Sequence, residues 1–348
     1  MSAKLERMWY PDAPETSGQK WVRSPLSAAS LGFRAVVGAR NALFDRGVLR
    51  SRRIDGARVI SVGNLTVGGA GKTPVVIFLA QRFRDAGRAV AILSRGYGRR
   101  SNRALDFDAA TAPSAEEAGD EPVLIARRCP GVRVYVGADR ARIAESARAR
   151  GADLLLLDDG MQHRRLARDA EVAVIDEAVG FGNGAMLPRG PLREPPHQLR
   201  RATLLWLRAA NVPAPLPEFS GPIVRALHGP SALIDPDGAE HPPAKVSGLN
   251  LHALCALARP SSFVRTLQSL GAVVTGLSAF RDHHLYSRAE VERIAAQARS
   301  EGALLVTTEK DRVRLPPNAP AWALRLDVRI QSGEAHLEAL LADRVRTG

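Results

Sequence analysis

Short aliphatic runs alternate with longer amphipathic stretches along the chain from Arg58 onward. The runs are rich in Val, Ile and Leu, as in buried strands, whereas the stretches between them repeat their apolar residues with helical spacing. The predicted strands are residues 59–62, 89–93, 132–136, 154–157, 172–175 and 204–207, and the predicted helices are residues 74–84, 121–128 and 140–150. This order is typical of an α/β fold with a doubly wound, mostly parallel sheet.

Four prolines interrupt the alternation, at Pro213, Pro215, Pro217 and Pro222. Neither a helix nor a central strand tolerates that density, so we predict a linker there. The alternation then resumes, with helices predicted at 261–270 and 287–299 and strands at 273–277 and 303–307. The predicted organisation is an N-terminal segment at 1–57, a larger α/β domain at 58–211, a Pro-rich linker at 212–222 and a smaller α/β domain at 223–348.

The N-terminal segment carries much of the positive charge. Nine basic and two acidic residues lie between residues 20 and 58, so +7 of the net charge of +13 is found there. The basic residues are Lys20, Arg23, Arg34, Arg40, Arg46, Arg50, Arg52, Arg53 and Arg58. The apolar residues Leu26, Ala29, Phe33, Val36, Val37, Leu43, Phe44 and Val48 fall on one side of a helix. This pattern predicts a basic amphipathic helix lying on an anionic bilayer.

Two features of this segment leave room for other interpretations. A helix that only covers the sheet of the first domain would show a similar apolar side. Arg40 falls on that apolar side, so we expect it either to snorkel toward the headgroups or to line a substrate groove.

Composition argues against several classes of protein. Cys129 and Cys255 lie far apart without Cys or His neighbours at ligand spacing, so neither a disulfide framework nor a structural zinc is predicted. No export signal and no window apolar enough to span a membrane is present. The basic segment also lacks the interleaved aromatic residues of a nucleic-acid surface. We therefore expect a protein of the reducing cytoplasm with peripheral membrane contact and no nucleic-acid partner.

A glycine-rich stretch, Val-Gly-Gly-Ala-Gly-Lys-Thr, follows the first predicted strand and opens the first predicted helix. Backbone amides of such a P-loop cradle phosphate oxygens, while Lys72 reaches the β and γ phosphates and the Thr73 hydroxyl binds Mg²⁺. The predicted cofactors are ATP and Mg²⁺. The residues predicted to hold the nucleotide are Thr66, Val67, Gly68, Gly69, Ala70, Gly71, Lys72 and Thr73.

The loop is a variant, because Thr66 stands where the usual pattern has glycine. Two P-loop subclasses fit poorly. Membrane-associated partitioning ATPases carry an additional lysine where this chain has Val67. GTPases read guanine with an Asn-Lys-x-Asp stretch, which residues 308–311 match only in part.

Acidic residues follow several predicted strands or open helices. Asp158 and Asp159 end a buried strand, where a carboxylate can hold Mg²⁺, and both face the site only if the chain turns at Gly160. Gln162 and His163 follow in the same loop, and a structural role is the more common one for such a histidine. Asp120 opens a predicted helix, where it would be favourable as a cap without any other function.

At this point the motifs resemble one family, the tetraacyldisaccharide 4'-kinases of lipid A synthesis. The matching stretches are residues 61–74, 94–98, 119–122, 158–163, 187–194, 256–260, 282–283 and 307–311, in the family's order and approximate spacing. The family's loop also lacks the first glycine. The resemblance implies transfer of the γ-phosphoryl group of ATP to the 4'-hydroxyl of an acylated glucosamine disaccharide 1-phosphate, giving lipid IVA and ADP at the cytoplasmic face of the bacterial inner membrane.

Site roles follow from the same resemblance, position by position. Asp120 resembles the general base and His283 the group that tunes it, with Lys72 on the phosphates. The acidic residues around the metal are Asp158, Asp159 and Glu194, beside Thr73. Arg95, Arg193 and Gln162 are candidates for substrate or phosphate contact. Since Asp120 and His283 fall in different predicted domains, a working site is expected to need domain closure. Met161 and Arg189 depart from the residues that are more common in the family.

Two alternatives are kept beside this interpretation. A membrane-docked P-loop switch or assembly ATPase would turn over ATP without an acylated disaccharide. A nucleic-acid-binding protein would retain DNA in a steeply salt-dependent manner and would give Asp120 no role.

Overall fold

The computed structural model describes residues 8–10, 24–257 and 259–342, and in these ranges the chain forms two compact units. The first unit is Met1–Arg95, Gly137–Leu227 and Arg329–Gly348, and the second is Gly96–Val136 and His228–Val328. Lys20, Arg23 and most of the predicted polar tail lie outside the described residues, as does Ala258 of the stretch 256–260.

The strands agree in position with most of those predicted. They are β1 (Arg58–Gly63), β2 (Val90–Ser94), β3 (Leu105–Phe107), β4 (Arg133–Val136), β5 (Leu154–Asp158), β6 (Ala170–Asp176), β7 (Leu204–Arg208), β8 (Ile223–Ile234), β9 (Glu240–His241), β10 (Asn250–Cys255), β11 (Val273–Ala279), β12 (Leu304–Thr308) and β13 (Trp322–Ser332). The prediction missed β3, β8, β9, β10 and β13.

The α-helices are α1 (Ser24–Asp45), α2 (Lys72–Asp85), α3 (Ala115–Ala118), α4 (Asp120–Arg128), α5 (Arg140–Ala149), α6 (Pro260–Ser269), α7 (Arg288–Ser300), α8 (Glu309–Arg312) and α9 (Glu334–Ala342). Short 3₁₀ helices lie at Pro196–Arg201 and Pro243–Val246. No helix in the described ranges is long and apolar enough to cross a membrane.

The sheet of the first unit is parallel throughout, in the order β8-β7-β6-β1-β5-β2. Residues of β1 and β5 are buried along their whole length because helices cover both faces. In this strand order β2 lies on one side of β1 and β6 lies on the other. The chain moves from β1 to β2 in one direction across the sheet and from β5 to β6 in the opposite direction. This reversal of direction places a crevice at the carboxyl end of β1, where open α/β sheets bind ligands.

In the second unit the sheet is mostly parallel, in the order β11-β10-β12-β13-β8, with β9 antiparallel to β8. Helices α6 and α7 pack two apolar clusters against it, one around Phe263 and Leu267 and the other around Val291 and Ile294. The doubly wound α/β class predicted from the sequence is confirmed. Neither Cys129 nor Cys255 forms a disulfide within the described ranges, and both side chains are fully buried.

The compact units divide the chain differently from the predicted domains in two respects. The Pro-rich segment does not behave as a linker, because Leu216 and Phe219 pack on the core of the first unit. The chain then continues into β8, whose residues up to Leu227 belong to the first unit and whose residues from His228 belong to the second. The segment Gly96–Val136 belongs to the second unit, where Arg128 forms a salt bridge with Glu309 at 2.7 Å. Asp120 and His283 therefore lie in one unit, although they are far apart in the sequence and fall in different predicted domains.

Helix α1 packs on the first unit along a narrow stripe. Val37 is buried in a cluster with Leu65, Met161 and Leu192, and Phe33 packs beside it. The predicted helix is therefore confirmed, and only part of its apolar side is buried against the first unit, since other apolar residues of the helix, Leu31, Val36 and Leu43 among them, are exposed.

Gly63→Ala is expected to destabilise the first unit. A Cβ at this position would lie 2.5 Å from Met161 Cβ and 2.7 Å from the Met161 backbone nitrogen, so β1 and the loop after β5 would have to separate. We expect a loss of about 1–3 kcal/mol in the free energy of unfolding, measured by urea denaturation. Gly38→Ala in α1 is the matched control. Its Cβ would meet nothing within 4 Å, so stability should stay equal or rise.

Candidate active site

The glycine-rich loop connects β1 to α2 and has the backbone that phosphate binding requires. Gly68 and Gly71 have φ of 108° and 85°, and Gly71 is the residue before the first turn of α2. Only glycine adopts these angles without strain, and they turn the loop back over the free amides of the helix start. Val67 N donates to Pro191 O at 2.8 Å, which fixes the loop against the segment that carries Arg193.

Asn64 connects the cations of this loop and was not among the predicted site residues. Its Oδ1 accepts from Lys72 Nζ at 3.1 Å and from Arg193 Nη2 at 2.7 Å. Arg193 Nε donates to Thr66 O at 3.0 Å, and Gln162 Nε2 donates to the Asn64 carbonyl at 2.9 Å. Asn64 lay inside the motif that carried the family resemblance, so that motif was a signal that could have found it.

Asp159 lies between two cations of the same network. It accepts from Arg193 Nη1 at 2.8 Å and lies 3.5 Å from Lys72 Nζ. Burial opposes the charge on this carboxyl, but Lys72 and Arg193 outweigh it and hold the pKa of Asp159 well below its usual value. The φ of 52° at Asp159 supplies the turn that the sequence required, and Asp158 accepts from Ser94 Oγ at 3.2 Å. Both carboxylates therefore lie at the carboxyl end of β5.

The predicted metal residues are only partly brought together. No three His, Cys, Asp or Glu side chains cluster as a metal site in the described ranges. Asp159 Oδ1 is buried with Lys72 Nζ 3.5 Å away, and a carboxylate oxygen of this kind suits a hard cation. Glu194 is fully buried, pairs with Arg201 and accepts from Asn41 Nδ2 at 3.4 Å. Thr73 is the second residue of α2.

Arg140 is a second residue that the sequence reasoning missed. It opens α5, is 5% exposed, and its Nε has no hydrogen-bond partner in the described part of the chain. Burial lowers its pKa, and Arg95 lowers it further while Asp158 and Asp159 oppose this change. A buried arginine facing two carboxylates at a phosphate loop is a candidate anion ligand. One arginine at a helix start gives no signal in a single sequence.

His163 is neutral in this environment. Burial lowers its pKa to about 4, with further contributions from Arg140 and Arg168. The structural role expected for this histidine is thus compatible with its position beside two cations.

In the second unit, buried Asp120 pairs with half-buried His283. His283 Nδ1 lies 3.1 Å from Asp120 Oδ2 and 3.2 Å from Oδ1. Burial opposes the charge on Asp120, but His283, Lys310 and Arg314 outweigh it and hold the pKa of this carboxyl far below its usual value. The hydrogen bond to Asp120 raises the pKa of His283 against the opposing effect of burial. The pair is thus a carboxylate next to an imidazole that retains its proton to higher pH.

Lys310 and Arg314 set the charge around this pair. Lys310 Nζ lies 3.7 Å from Asp120 Oδ2 and 3.1 Å from Glu121 Oε1, and Arg314 Nε lies 3.6 Å from Asp120 Oδ2. Tyr97, which is 67% exposed, lies with its ring centroid 5.1 Å from that of His283. An exposed aromatic beside a buried acid and imidazole suits a sugar hydroxyl as the reacting group.

Comparison with known proteins decides the family. The model of the family Tetraacyldisaccharide-1-P 4'-kinase matches residues 22–346. The chain belongs to this family. Proteins named tetraacyldisaccharide 4'-kinase are 45% identical to it in Anaeromyxobacter dehalogenans strain 2CP-C, over 97% of this chain and 94% of the relative, and 39% identical in Syntrophus aciditrophicus strain SB, over 99% of each.

A solved structure agrees with this family assignment. The crystal structure of LpxK from Aquifex aeolicus in complex with ATP is 32% identical and has a TM-score of 0.79, covering 92% of this chain and 98% of that one. The resemblance predicted from the sequence and the assignment as a kinase are confirmed. The interpretation as a switch ATPase receives no support from these matches.

Asp120→Asn is expected to lower the pKa of His283, because the carboxylate is what raises it and burial alone would lower it. Histidine side-chain NMR over a pH titration measures this change, with His336 of the first unit as internal reference. By linkage, the stabilisation that His283 gives the folded kinase is present below its unfolded pKa and is lost as pH rises through the folded value. An unchanged His283 titration would show that Asp120 does not hold the imidazole.

Proposed function

We propose that this kinase transfers the γ-phosphoryl group of ATP to the 4'-hydroxyl of the tetraacyldisaccharide 1-phosphate precursor of lipid A, giving ADP and the 4'-phosphorylated product. The names of its relatives and the ATP in the related crystal structure support this reaction. The observation that carries the proposal is the pair of buried Asp120 and half-buried His283 beside exposed Tyr97. An ATPase without an alcohol acceptor has no need of such a pair.

On the donor side, the residues of the loop bind and orient the triphosphate. The backbone amides of the loop and of the first turn of α2, apart from that of Val67, which donates to Pro191 O, would surround the phosphates, and Lys72 and Arg193, both already held by Asn64, would balance the charge. Arg140 adds a further cation, whose buried Nε has no hydrogen-bond partner among the described residues. Little covalent chemistry is left for the protein, because the transition state of phosphoryl transfer is loose.

Mg²⁺ fits the same end of the first unit. The Thr73 hydroxyl and the carboxylates Asp158 and Asp159 are the hard oxygen ligands that would hold it, together with phosphate oxygens. When bound, Mg²⁺ neutralises charge on the β and γ phosphates. Glu194, the fourth predicted ligand, is engaged by Arg201 and Asn41, so we assign it the role of holding these two side chains in place.

On the acceptor side, Asp120 takes the proton of the sugar hydroxyl. Its low pKa makes it a weak base, which is sufficient when the proton leaves late in a loose transition state. His283 orients the carboxylate and keeps it ionised, and Lys310 and Arg314 contribute to the same end.

Helix α1 is proposed to bring the kinase to the cytoplasmic face of the inner membrane. Leu31 and Val36 are 66% and 69% exposed, and Leu43, Val48 and Leu49 are exposed as well. The basic residues after the helix add attraction for anionic headgroups, at roughly 1 kcal/mol each. A substrate with several acyl chains leaves the bilayer only at about 0.8 kcal/mol per CH₂, so the enzyme has to work at the membrane surface.

Asp120→Ala is expected to lower turnover by roughly two orders of magnitude or more while ATP binding persists. The assay uses γ-³²P-labelled ATP with the 1-phosphorylated tetraacyl disaccharide in detergent. Asp237→Ala, which removes an exposed carboxylate of the same unit, is the control and should keep wild-type turnover. Turnover that survives in Asp120→Ala would remove this residue from the mechanism.

The double variant Leu31→Ser, Val36→Ser is expected to lower binding to vesicles of anionic phospholipid by roughly tenfold or more, since each exposed aliphatic side chain adds about 1.5–3 kcal/mol when fully buried. Vesicle flotation measures this. Leu277→Ser on β11, where the leucine is 45% exposed, is the matched control. Equal flotation of all three proteins would place the membrane contact elsewhere than α1.

A further inference from the structure

The loop after β5 has an unusual set of backbone contacts. Each of five consecutive carbonyls accepts a hydrogen bond from a side chain of the first unit. Arg168 donates to the carbonyls of Gly160, Met161 and His163, Arg40 donates to that of Gln162, and Ser51 donates to that of Arg164. Buried carbonyls need hydrogen-bond donors, and side chains supply one to each carbonyl of this loop, so the conformation of residues 160–164 is strongly determined.

Two separate elements supply these donors. Arg168, which follows the loop in the chain, donates to three of its carbonyls, and buried Glu171 balances the charge of Arg168. Arg40 and Ser51 come from the N-terminal segment, through α1 and the residues that follow it. The backbone of that segment takes part as well, since Arg52 N donates to Arg165 O at 2.7 Å and Ala167 N donates to Arg52 O at 2.8 Å.

The loop also reaches back to α1. Arg164 Nη1 donates to Asn41 O at 3.1 Å, and Nη2 forms a salt bridge with Asp45 at 2.7 Å. The guanidinium of Arg164 lies 5.1 Å from the centroid of the Phe44 ring, and that of Arg40 lies 5.8 Å from it. Two arginines, one on each element, therefore lie close to the Phe44 ring, and these contacts couple the last turns of α1 to the loop.

The same loop carries the groups that hold the phosphate-binding cations. Asp159 and Gln162 Oε1 both accept from Arg193 Nη1, at 2.8 and 3.1 Å. Arg193 in turn is bound to Asn64 and Thr66 of the phosphate loop. A continuous chain of contacts thus runs from Arg40 through Gln162 and Arg193 to the phosphate loop.

We propose that Arg40 is a positioning residue for the nucleotide site, and that α1 holds the loop 158–164 in its working conformation in addition to meeting the membrane. This explains why a half-buried arginine occupies the otherwise apolar side of α1. It replaces the two roles expected from the sequence, snorkelling and lining a substrate groove. Only the turnover assay of this inference rests on the proposed function. Nucleotide affinity tests the role of Arg40 independently of the acceptor.

Arg40→Ala and Arg40→Lys in the full-length kinase test this role in detergent micelles. We expect kcat/KM for ATP to drop by roughly 10- to 100-fold in Arg40→Ala, through a higher KM for ATP or a lower kcat. Small displacements of catalytic groups cause losses of this size. Arg40→Lys should recover part of this loss, since one ammonium can reach one carbonyl but cannot stack on Phe44 as guanidinium does. Arg265→Ala, an exposed arginine on α6, controls for loss of charge.

Two measurements separate positioning from membrane attachment. Titration with a fluorescent ATP analogue without lipid should show weaker binding by Arg40→Ala, and hydrogen exchange should be faster in residues 158–165 than in wild type, while the thermal midpoint confirms that the variant is folded. Flotation of Arg40→Lys on anionic vesicles should equal that of wild type. A variant Arg40→Ala with wild-type nucleotide affinity and loop exchange would overturn the proposal, as would a turnover loss that follows vesicle binding alone.

These outcomes also distinguish the inference from the proposed reaction. If the wild-type chain binds the nucleotide but phosphorylates no acylated disaccharide, the proposed function fails while the difference in nucleotide affinity still decides the role of Arg40.

Discussion

The charge balance at Asp159 is the constraint on which the first unit depends. Lys72 and Arg193 would repel each other at the distances they take around Asn64, and the carboxylate between them makes the arrangement stable. The left-handed backbone at Asp159 aims the carboxylate at the phosphate loop instead of along β5. A triphosphate therefore meets cations that are already oriented, so their ordering adds little to the cost of binding.

The second unit solves a similar problem with the opposite sign. Asp120 is buried deeply enough that its charge would be unfavourable alone, and the hydrogen bond from His283 and the charges of Lys310 and Arg314 stabilise it. Arg314 is itself held by Asp311 at 2.6 Å, and Tyr286 donates to the same carboxylate at 3.0 Å. The base is thus part of a buried network whose members are fixed by one another.

Much of this could be predicted from the sequence, and the limits have physical causes. β1, β5 and the phosphate loop were found because burial and phosphate binding each impose a local pattern, and the paired motifs Asp158-Asp159 and Asp282-His283 identified the family. Asn64 and Arg140 were missed because their roles arise from contacts between distant segments. The placement of Gly96–Val136 in the second unit was missed for the same reason, since ion pairs such as Arg128–Glu309 are invisible to periodicity.

The burial of both cysteines has a practical consequence. Cys129 and Cys255 have no exposed surface, and burial raises the pKa of the Cys255 thiol to about 12, so neither offers a reactive thiolate at neutral pH. A single cysteine introduced on an exposed position of either unit would then be the preferred target of maleimide dyes or nitroxide spin labels. Site-directed spectroscopy on this kinase can accordingly begin from the wild-type background, without first removing native thiols.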